Sequence, residues 1–181
     1  MGLFDKLMGK AKTSGAPQAS SAPEPVSTQT AQDVLCAPVS GRLVALETVP
    51  DPVFAQGMLG KGCAIWPDGH VVYAPAAGEV TVAMGHAMGL KTDDGIEVLV
   101  HVGVDTVGLQ GEGFTAHVSQ GDHVVAGQPL FSFDRKVIAD AGYEDCVMLL
   151  VSNTAEFSDV IVTVDLEPSV AAGDAVVKVV R

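Results

Sequence analysis

Gly95-Ile96-Glu97-Val98-Leu99-Val100-His101-Val102-Gly103-Val104-Asp105-Thr106-Val107 is the stretch from which the rest of the chain is read. It opens on the turn signal Asp93-Asp94-Gly95 and then alternates. Val98, Val100 and Val102 fall on one side of an extended segment, and Glu97, Leu99 and His101 on the other. A period of two predicts a strand, packed by its valine side. His101 then points away from the apolar row, near the strand's end, where Gly103 adds no side-chain bulk. A histidine held on a rigid strand with little beside it can be reached by another molecule. Its neutral ring offers a nucleophilic nitrogen near neutral pH. A lone strand histidine is more often a surface residue without a role, so the reading depends on what else lies nearby.

Outward from this strand the pattern is strand, turn, strand. Extended runs are predicted at 34–38, 42–46, 63–67, 71–75, 78–84, 90–92, 96–102, 114–118, 123–125, 129–133, 147–151, 160–164 and 176–180. Gly and Pro punctuate them, 20 and 10 in 181 residues, and no segment holds a long 3.6-residue period. Short helical turns are expected near 135–145 and 153–158, and a loop or short helical turn over 49–55. Aromatics are only 5% of a chain that is 48% hydrophobic, so valine and alanine must fill the core. The expected fold is all-β, an antiparallel sandwich or barrel with short helical turns.

Two passages repeat. Ala37-Pro38-Val39-Ser40-Gly41 resembles Ala74-Pro75-Ala76-Ala77-Gly78, each leading into a strand. Gln120-Gly121-Asp122-His123-Val124 through Leu130 resembles Pro168 through Val176, with Gly-Asp-x-Val recurring at 121 and 173. Such repetition points to internal pseudo-symmetry.

The N-terminus differs. Leu3, Phe4, Leu7 and Met8 in residues 1–10 share a helical face, a candidate amphipathic helix for weak membrane contact. Residues 11–32 are Ala, Ser, Thr, Pro and Gln with almost no large apolar residue, and read as a disordered linker. The folded domain is expected over 33–181.

The formal net charge of −12 opposes nucleic-acid binding, which needs a basic footprint. Cys36, Cys63 and Cys146 are odd in number and far apart, without zinc-finger or disulfide spacing. No run reaches the ~18 apolar residues of a membrane span, and no secretory signal opens the chain. A cytoplasmic monomer with reduced thiols is expected.

His86 lies between glycines in Met84-Gly85-His86-Ala87-Met88-Gly89, 15 residues before His101. On neighbouring antiparallel strands the two rings can meet, since opposed Cβ atoms are about 4.5–5.5 Å apart. Parity resists this: Val80, Val82, Met84 and His86 share a side unless Gly85 breaks the strand with a bulge. Two facing imidazoles suit phosphoryl transfer, one attacking and the other donating an N–H to the phosphoryl oxygens. They also suit a metal, but zinc normally takes at least three protein ligands, and Asp105 is the available third.

In order and spacing the chain resembles the glucose-type IIA component of the bacterial phosphoenolpyruvate-dependent sugar phosphotransferase system, over about residues 33–181. The resemblance rests on 95–107, Gly111-Glu112-Gly113-Phe114, Asp51-Pro52-Val53-Phe54-Ala55 and Gly121-Asp122 through Phe133-Asp134. The Met-Gly-Leu-Phe-Asp-Lys-Leu start matches more loosely. It implies a phosphohistidine carrier, catalytic only with its partners. His101 would accept the phosphoryl group from phospho-HPr and pass it to a IIB domain of a sugar permease. His86 would stabilise it. Asp51 and Asp105 would meet cationic partner side chains at the rim. Val53 and Phe54 would form an apolar collar, with Met84 and Met88 also placed at the partner face. No cofactor is required; Zn²⁺ bridging His86 and His101 in a partner complex is the candidate metal. Regulatory partners that read the phosphorylation state are a further expectation, because phosphorylation adds about −1.5 to −2 charges to the face.

Two positions depart from that pattern. Met84 stands where the family commonly has a Thr that orients the companion ring, and Met88 where an aromatic is usual. Two other classes compete. A lysostaphin-like zinc peptidase needs His-x-x-x-Asp and His-x-His, whereas Leu90 and Gly103 occupy the needed positions. A biotinyl or lipoyl carrier needs a turn lysine, and His86 stands there instead. His70, His117 and His123 read as surface or structural residues.

Overall fold

A computed structural model describes residues 21–166 and 168–181. The candidate amphipathic helix at 1–10, and residues 11–20 of the expected linker, lie outside the described residues.

Fourteen strands follow in chain order among these residues. They are β1 (Val34–Cys36), β2 (Gly41–Ala45), β3 (Lys61–Pro67), β4 (Val71–Tyr73), β5 (Gly78–Ala83), β6 (Ala87–Thr92) and β7 (Glu97–Val102). Then come β8 (Phe114–Ala116), β9 (His123–Val124), β10 (Pro129–Phe133), β11 (Val147–Val151), β12 (Asp159–Val162), β13 (Ser169–Val170) and β14 (Ala175–Val180). Two short helices, α1 (Pro52–Ala55) and α2 (Arg135–Asp140), fall where helical turns are expected. Their N-caps, Asp51 and Asp134, accept backbone N–H groups, which satisfies donors that a helix start leaves unpaired.

All strand pairings among the described residues are antiparallel. Eight strands form one sheet, β13-β2-β3-β11-β7-β6-β5-β9, and two three-stranded sheets, β1-β14-β12 and β4-β10-β8, complete the sandwich. The main core takes Val98, Val100 and Val102 from β7, Val147, Leu149 and Val151 from β11, Leu130, Phe131 and Phe133 from β10, and Val176, Val177 and Val179 from β14. The valine side of the opening stretch is thus the core side.

β11 explains why the other side of β7 is not bare. All five of its residues are buried. Met148 and Leu150 enter a second, smaller cluster with Val44, Leu46, Val49, Phe54, Ala64, Val104 and Cys146, against which Leu99 and Trp66 pack. The 46–55 segment, with α1, caps this cluster and places Phe54 beside β7.

The repeats are real, but the second in a different register. Ala37 N–H and Ala74 N–H donate to Asp174 O and Gln128 O, at 2.7 and 2.8 Å. Gly173 N–H and Gly127 N–H return the bond to Ala37 O and Ala74 O, both at 2.9 Å. The motifs also bond crosswise, Cys36 N–H to Pro75 O and Tyr73 N–H to Pro38 O, each 2.8 Å. The equivalent turns are therefore Val125–Gln128 and Ala171–Asp174. The Gly-Asp-x-Val match at 121 is a further copy of the same turn: Asp122 and Asp174 accept the N–H of Ser119 and Ala171 through their carboxylates at 2.8 and 2.9 Å, and each Gly-Asp leads directly into a strand, β9 and β14.

Part of the expected linker is also corrected. Residues 24–32 lie along the domain as an extended strap. Val26 N–H donates to Gly127 O (3.0 Å) and Gln29 N–H to Gly173 O (2.9 Å), so the strap spans both pseudo-equivalent turns. Gln29 Oε1 accepts from Ala175 N–H, and Gln32 O from Lys178 Nζ. A Cβ on Gly127 or Gly173 would stand 2.2 or 2.0 Å from the Val26 or Ser27 carbonyl oxygen. Low hydrophobicity hid the strap, because backbone hydrogen bonds hold it rather than buried side chains.

Candidate functional site

His101 stands on β7 opposite Ala87 of β6 and Met148 of β11. Ala87 is small and Met148 is buried, so the ring projects from the outer face beside the second cluster. His86 is one residue before β6, in the turn Met84–Ala87, whose ends bond to each other at 2.9 and 3.4 Å. It is not directly across the ladder from His101. Its carbonyl accepts Val102 N–H at 2.8 Å, and its ring reaches around the strand end. The rings meet edge to face, centroids 4.8 Å apart and planes at 77°. The bulge lies not at Gly85 but between Val80 and Val82, so Val80 enters the core while Val82 and Met84 are exposed.

Phe54 packs on the other side of His101, centroids 4.9 Å apart. It is 5% exposed, so it forms the floor of the site. Val53, next to it, is 40% exposed. Asp51 accepts Val53 N–H through its side chain at 2.7 Å and thereby fixes α1. Its charge also reaches His101 and favours the protonated ring, though weakly.

Burial dominates the electrostatics. Desolvation, then the neighbouring His86, pulls the His101 imidazole down to about 4, against the opposing pull of the Gly103 backbone and Asp51. Burial also lowers the His86 value. Both rings are therefore neutral at physiological pH, which leaves each one nitrogen with a free electron pair. His101 Nδ1 is buried and completes no hydrogen bond, although the Gly103 backbone lies close enough to favour the protonated ring. Nε2 is the nitrogen left toward the surface.

Asp105 is exposed and left-handed (φ 60°) at the head of the 3-10 turn Thr106–Leu109. Met84 is exposed and lines a groove with Val82, Gly89, Leu99 and Ser152, two residues before His86 in the chain. Met88 is different. It is fully buried in the main core, paired with Val100, so its assignment to the partner face is wrong. The bulge changes the parity of β5 but not of β6, and Met88 faces inward there. Met58 and Val107 are 69% and 64% exposed on the turns after Phe54 and Asp105.

Among the described residues no group of three or more His, Cys, Asp or Glu is placed to hold a metal. Asp105 does not complete a zinc site with the two histidines, and the peptidase arrangement is not formed. His117 Nε2 pairs with Ser132 Oγ (2.7 Å), and His123 Nε2 with Asp93 (2.9 Å), away from the pair. The three cysteines are free and buried. No helix among the described residues is long and apolar enough to cross a membrane.

Comparison with known proteins agrees with this geometry. Residues 33–157 match the family model "phosphoenolpyruvate-dependent sugar phosphotransferase system, EIIA 1". The glucose-specific EIIA component of Halalkalibacterium halodurans is 43% identical over 158 residues, covering 83% of each chain. The beta-glucoside-specific EIIBCA component of Bacillus subtilis is 41% identical over 137 residues, 75% of this chain; the match spans only 22% of that longer protein. The glucose permease IIA of Mycoplasma capricolum superposes with a TM-score of 0.70 at 33% identity, covering 80% of this chain and 93% of that one. The chain belongs to the EIIA 1 family of the phosphoenolpyruvate-dependent sugar phosphotransferase system.

Proposed function

We propose that this protein is a phosphohistidine carrier that takes a phosphoryl group from phospho-HPr on His101 and passes it to the IIB domain of a sugar permease. The observation that carries the reading is the edge-to-face pair of neutral imidazoles on a rimmed sheet face. The His101 Nε2 electron pair forms an N–P bond as the donor's N–P bond breaks and the donor imidazole leaves with its electron pair. The neutral His86 ring donates an N–H to the phosphoryl oxygens as charge moves between partners. Phe54 beneath and the apolar residues around the rim exclude water once a partner docks, which protects a labile phosphohistidine and keeps donor and acceptor aligned.

Asp51 and Asp105 meet cationic partner side chains, while Val53 and Met84 supply apolar contact. The protein acts as a cytoplasmic monomer. A zinc ion bridging His86 and His101 would need further ligands from a partner, since the described residues supply two. Regulatory partners would bind this same face only when His101 is unphosphorylated.

Labelled phosphoenolpyruvate with Enzyme I and HPr tests the reading. Label is expected on wild type and on His86→Ala, and absent from His101→Ala. His86→Ala is expected to load but to release poorly to a IIB domain. A folded wild type that takes no label would overturn the carrier reading.

A further inference from the structure

Thr106 is a polar residue with no exposure at all. Its hydroxyl donates to the carbonyl of Val102, the residue between His101 and Gly103. Its methyl carbon occupies the place where Gly103 would carry a side chain: a Cβ there would lie 2.2 Å from Thr106 Cγ2. Gly103 holds a left-handed φ of 81°, a conformation glycine adopts without steric cost. From the opposite side Gly103 N–H donates to Cys146 O at 2.7 Å, and Val104 N–H to Glu144 O at 3.1 Å. The Val102–Val104 backbone is thus held between Thr106 and the segment leading into β11.

That backbone lies against the reactive ring. Gly103 favours the protonated imidazole, and the buried His101 Nδ1 completes no hydrogen bond, so the Gly103 backbone is the acceptor group the ring senses at that nitrogen. A histidine's tautomer is set by the hydrogen bond its second nitrogen makes. A proton held on Nδ1 leaves the electron pair on Nε2, toward the surface.

We propose that Thr106 is a positioning residue for phosphoryl acceptance: its hydroxyl fixes the Val102–Gly103 backbone so that the Gly103 carbonyl holds the proton of His101 on Nδ1 and Nε2 stays the nucleophile. This rests on the carrier reading for its purpose, though not for its geometry. As the Nε2–P bond forms and the donor's N–P bond breaks, Nδ1 keeps its proton. The positive charge that spreads over the ring is then met by the Gly103 carbonyl.

The test uses the full chain with Thr106→Val, which keeps the methyl and loses the hydroxyl, and Thr106→Ser, which keeps the hydroxyl. Nitrogen-15 imidazole shifts report the His101 tautomer without any phosphate. Wild type and Thr106→Ser are expected to hold the Nδ1–H form, and Thr106→Val to mix the two forms. Loading from phospho-HPr is expected to slow by about tenfold or more in Thr106→Val, with KM for phospho-HPr unchanged and Thr106→Ser close to wild type. A wild-type tautomer in Thr106→Val would overturn the proposal, whatever happens to stability. Should Thr106→Val not fold, Thr106→Ala replaces it against Thr106→Ser, and equal tautomers in the two would overturn it. A wild type that takes no phosphate but shows the tautomer contrast would refute the carrier reading and leave the positioning role standing.

Discussion

The His86 ring stands edge-on to the His101 ring, centroids 4.8 Å apart, although the two residues are not partners in the strand ladder. Ala87 holds the ladder position opposite His101, and His86 reaches the same place from the turn before β6. One ring is thus anchored on a strand flanked by two others, and the second on a turn that closes through Met84 and Ala87. Strand anchoring suits a nucleophile that must keep its direction. A turn suits a companion that must follow the phosphoryl group as it arrives and leaves.

The first prediction concerns pH. His101 is held at about 4, below its ordinary value of 6.5, and His86 is also lowered. The unfolded chain therefore takes up protons at these two residues before the folded chain does. Stability from this source is complete above pH 6.5 and falls as the pH drops toward 4. Urea midpoints measured from pH 7.5 to 4 are expected to fall across that window, and to fall less in His101→Gln. An equal slope in the variant would show that His101 is not held neutral.

Phe54 tests the floor. It is buried in the second cluster and touches the His101 ring. Phe54→Ala is expected to cost about 3–5 kcal/mol, the usual range for a buried aromatic. It also opens the underside of the imidazole to water, so isolated phosphoprotein is expected to hydrolyse faster. Equal phosphate lifetimes in wild type and variant would reduce Phe54 to packing alone.

Much of this site was legible in the sequence because it depends on short periods. Alternation placed Val98, Val100 and Val102 inward and His101 outward, and β10 and β11 fall at the expected residues. Glycines beside His86 and His101 marked where strands end. What was not legible depended on contacts distant in the chain. Met84 and Met88 looked equivalent at the sequence level, yet one is on the surface and the other at the core. Their parity is set by the bulge between Val80 and Val82 and by the inward face of β6. The strap was missed for a related reason. Its contacts are backbone bonds to Gly127 and Gly173, about 100 and 145 residues away, and composition carries no trace of them.

The strap gives a third prediction. A chain starting at Asp33 is expected to be less stable than one starting at Ser21 by about 1–3 kcal/mol, a few net hydrogen bonds less the ordering entropy regained. Gly173→Ala sets a Cβ against the Ser27 carbonyl and is expected to displace the same segment. Its cost should shrink in the shortened chain, where only the backbone strain at φ 96° remains. Purely additive costs in denaturant unfolding would show that the strap does not bear on Gly173. Loading of His101 is expected to be unchanged in every one of these chains, because no strap hydrogen bond reaches the histidines.

Met84 and Met88 separate surface from core most sharply. Met84 is 48% exposed, two residues before His86, and its backbone alone closes the turn that carries His86. Met84→Asp therefore leaves the turn intact and adds a negative charge at the rim. Its unfolding midpoint is expected to stay within ordinary surface variation, about 0.5 kcal/mol, while KM for phospho-HPr rises several-fold. Met88 has no exposure and pairs with Val100 on β7. Met88→Ala leaves a cavity under the strand that holds His101, with an expected loss of about 2–5 kcal/mol. Its KM should change little at temperatures where the protein is folded, because no atom of Met88 reaches the docking face. A large KM effect in Met88→Ala with unchanged stability would mean that the inward face of β6 is exposed to partners. The reverse pattern in Met84→Asp would remove Met84 from the docking rim.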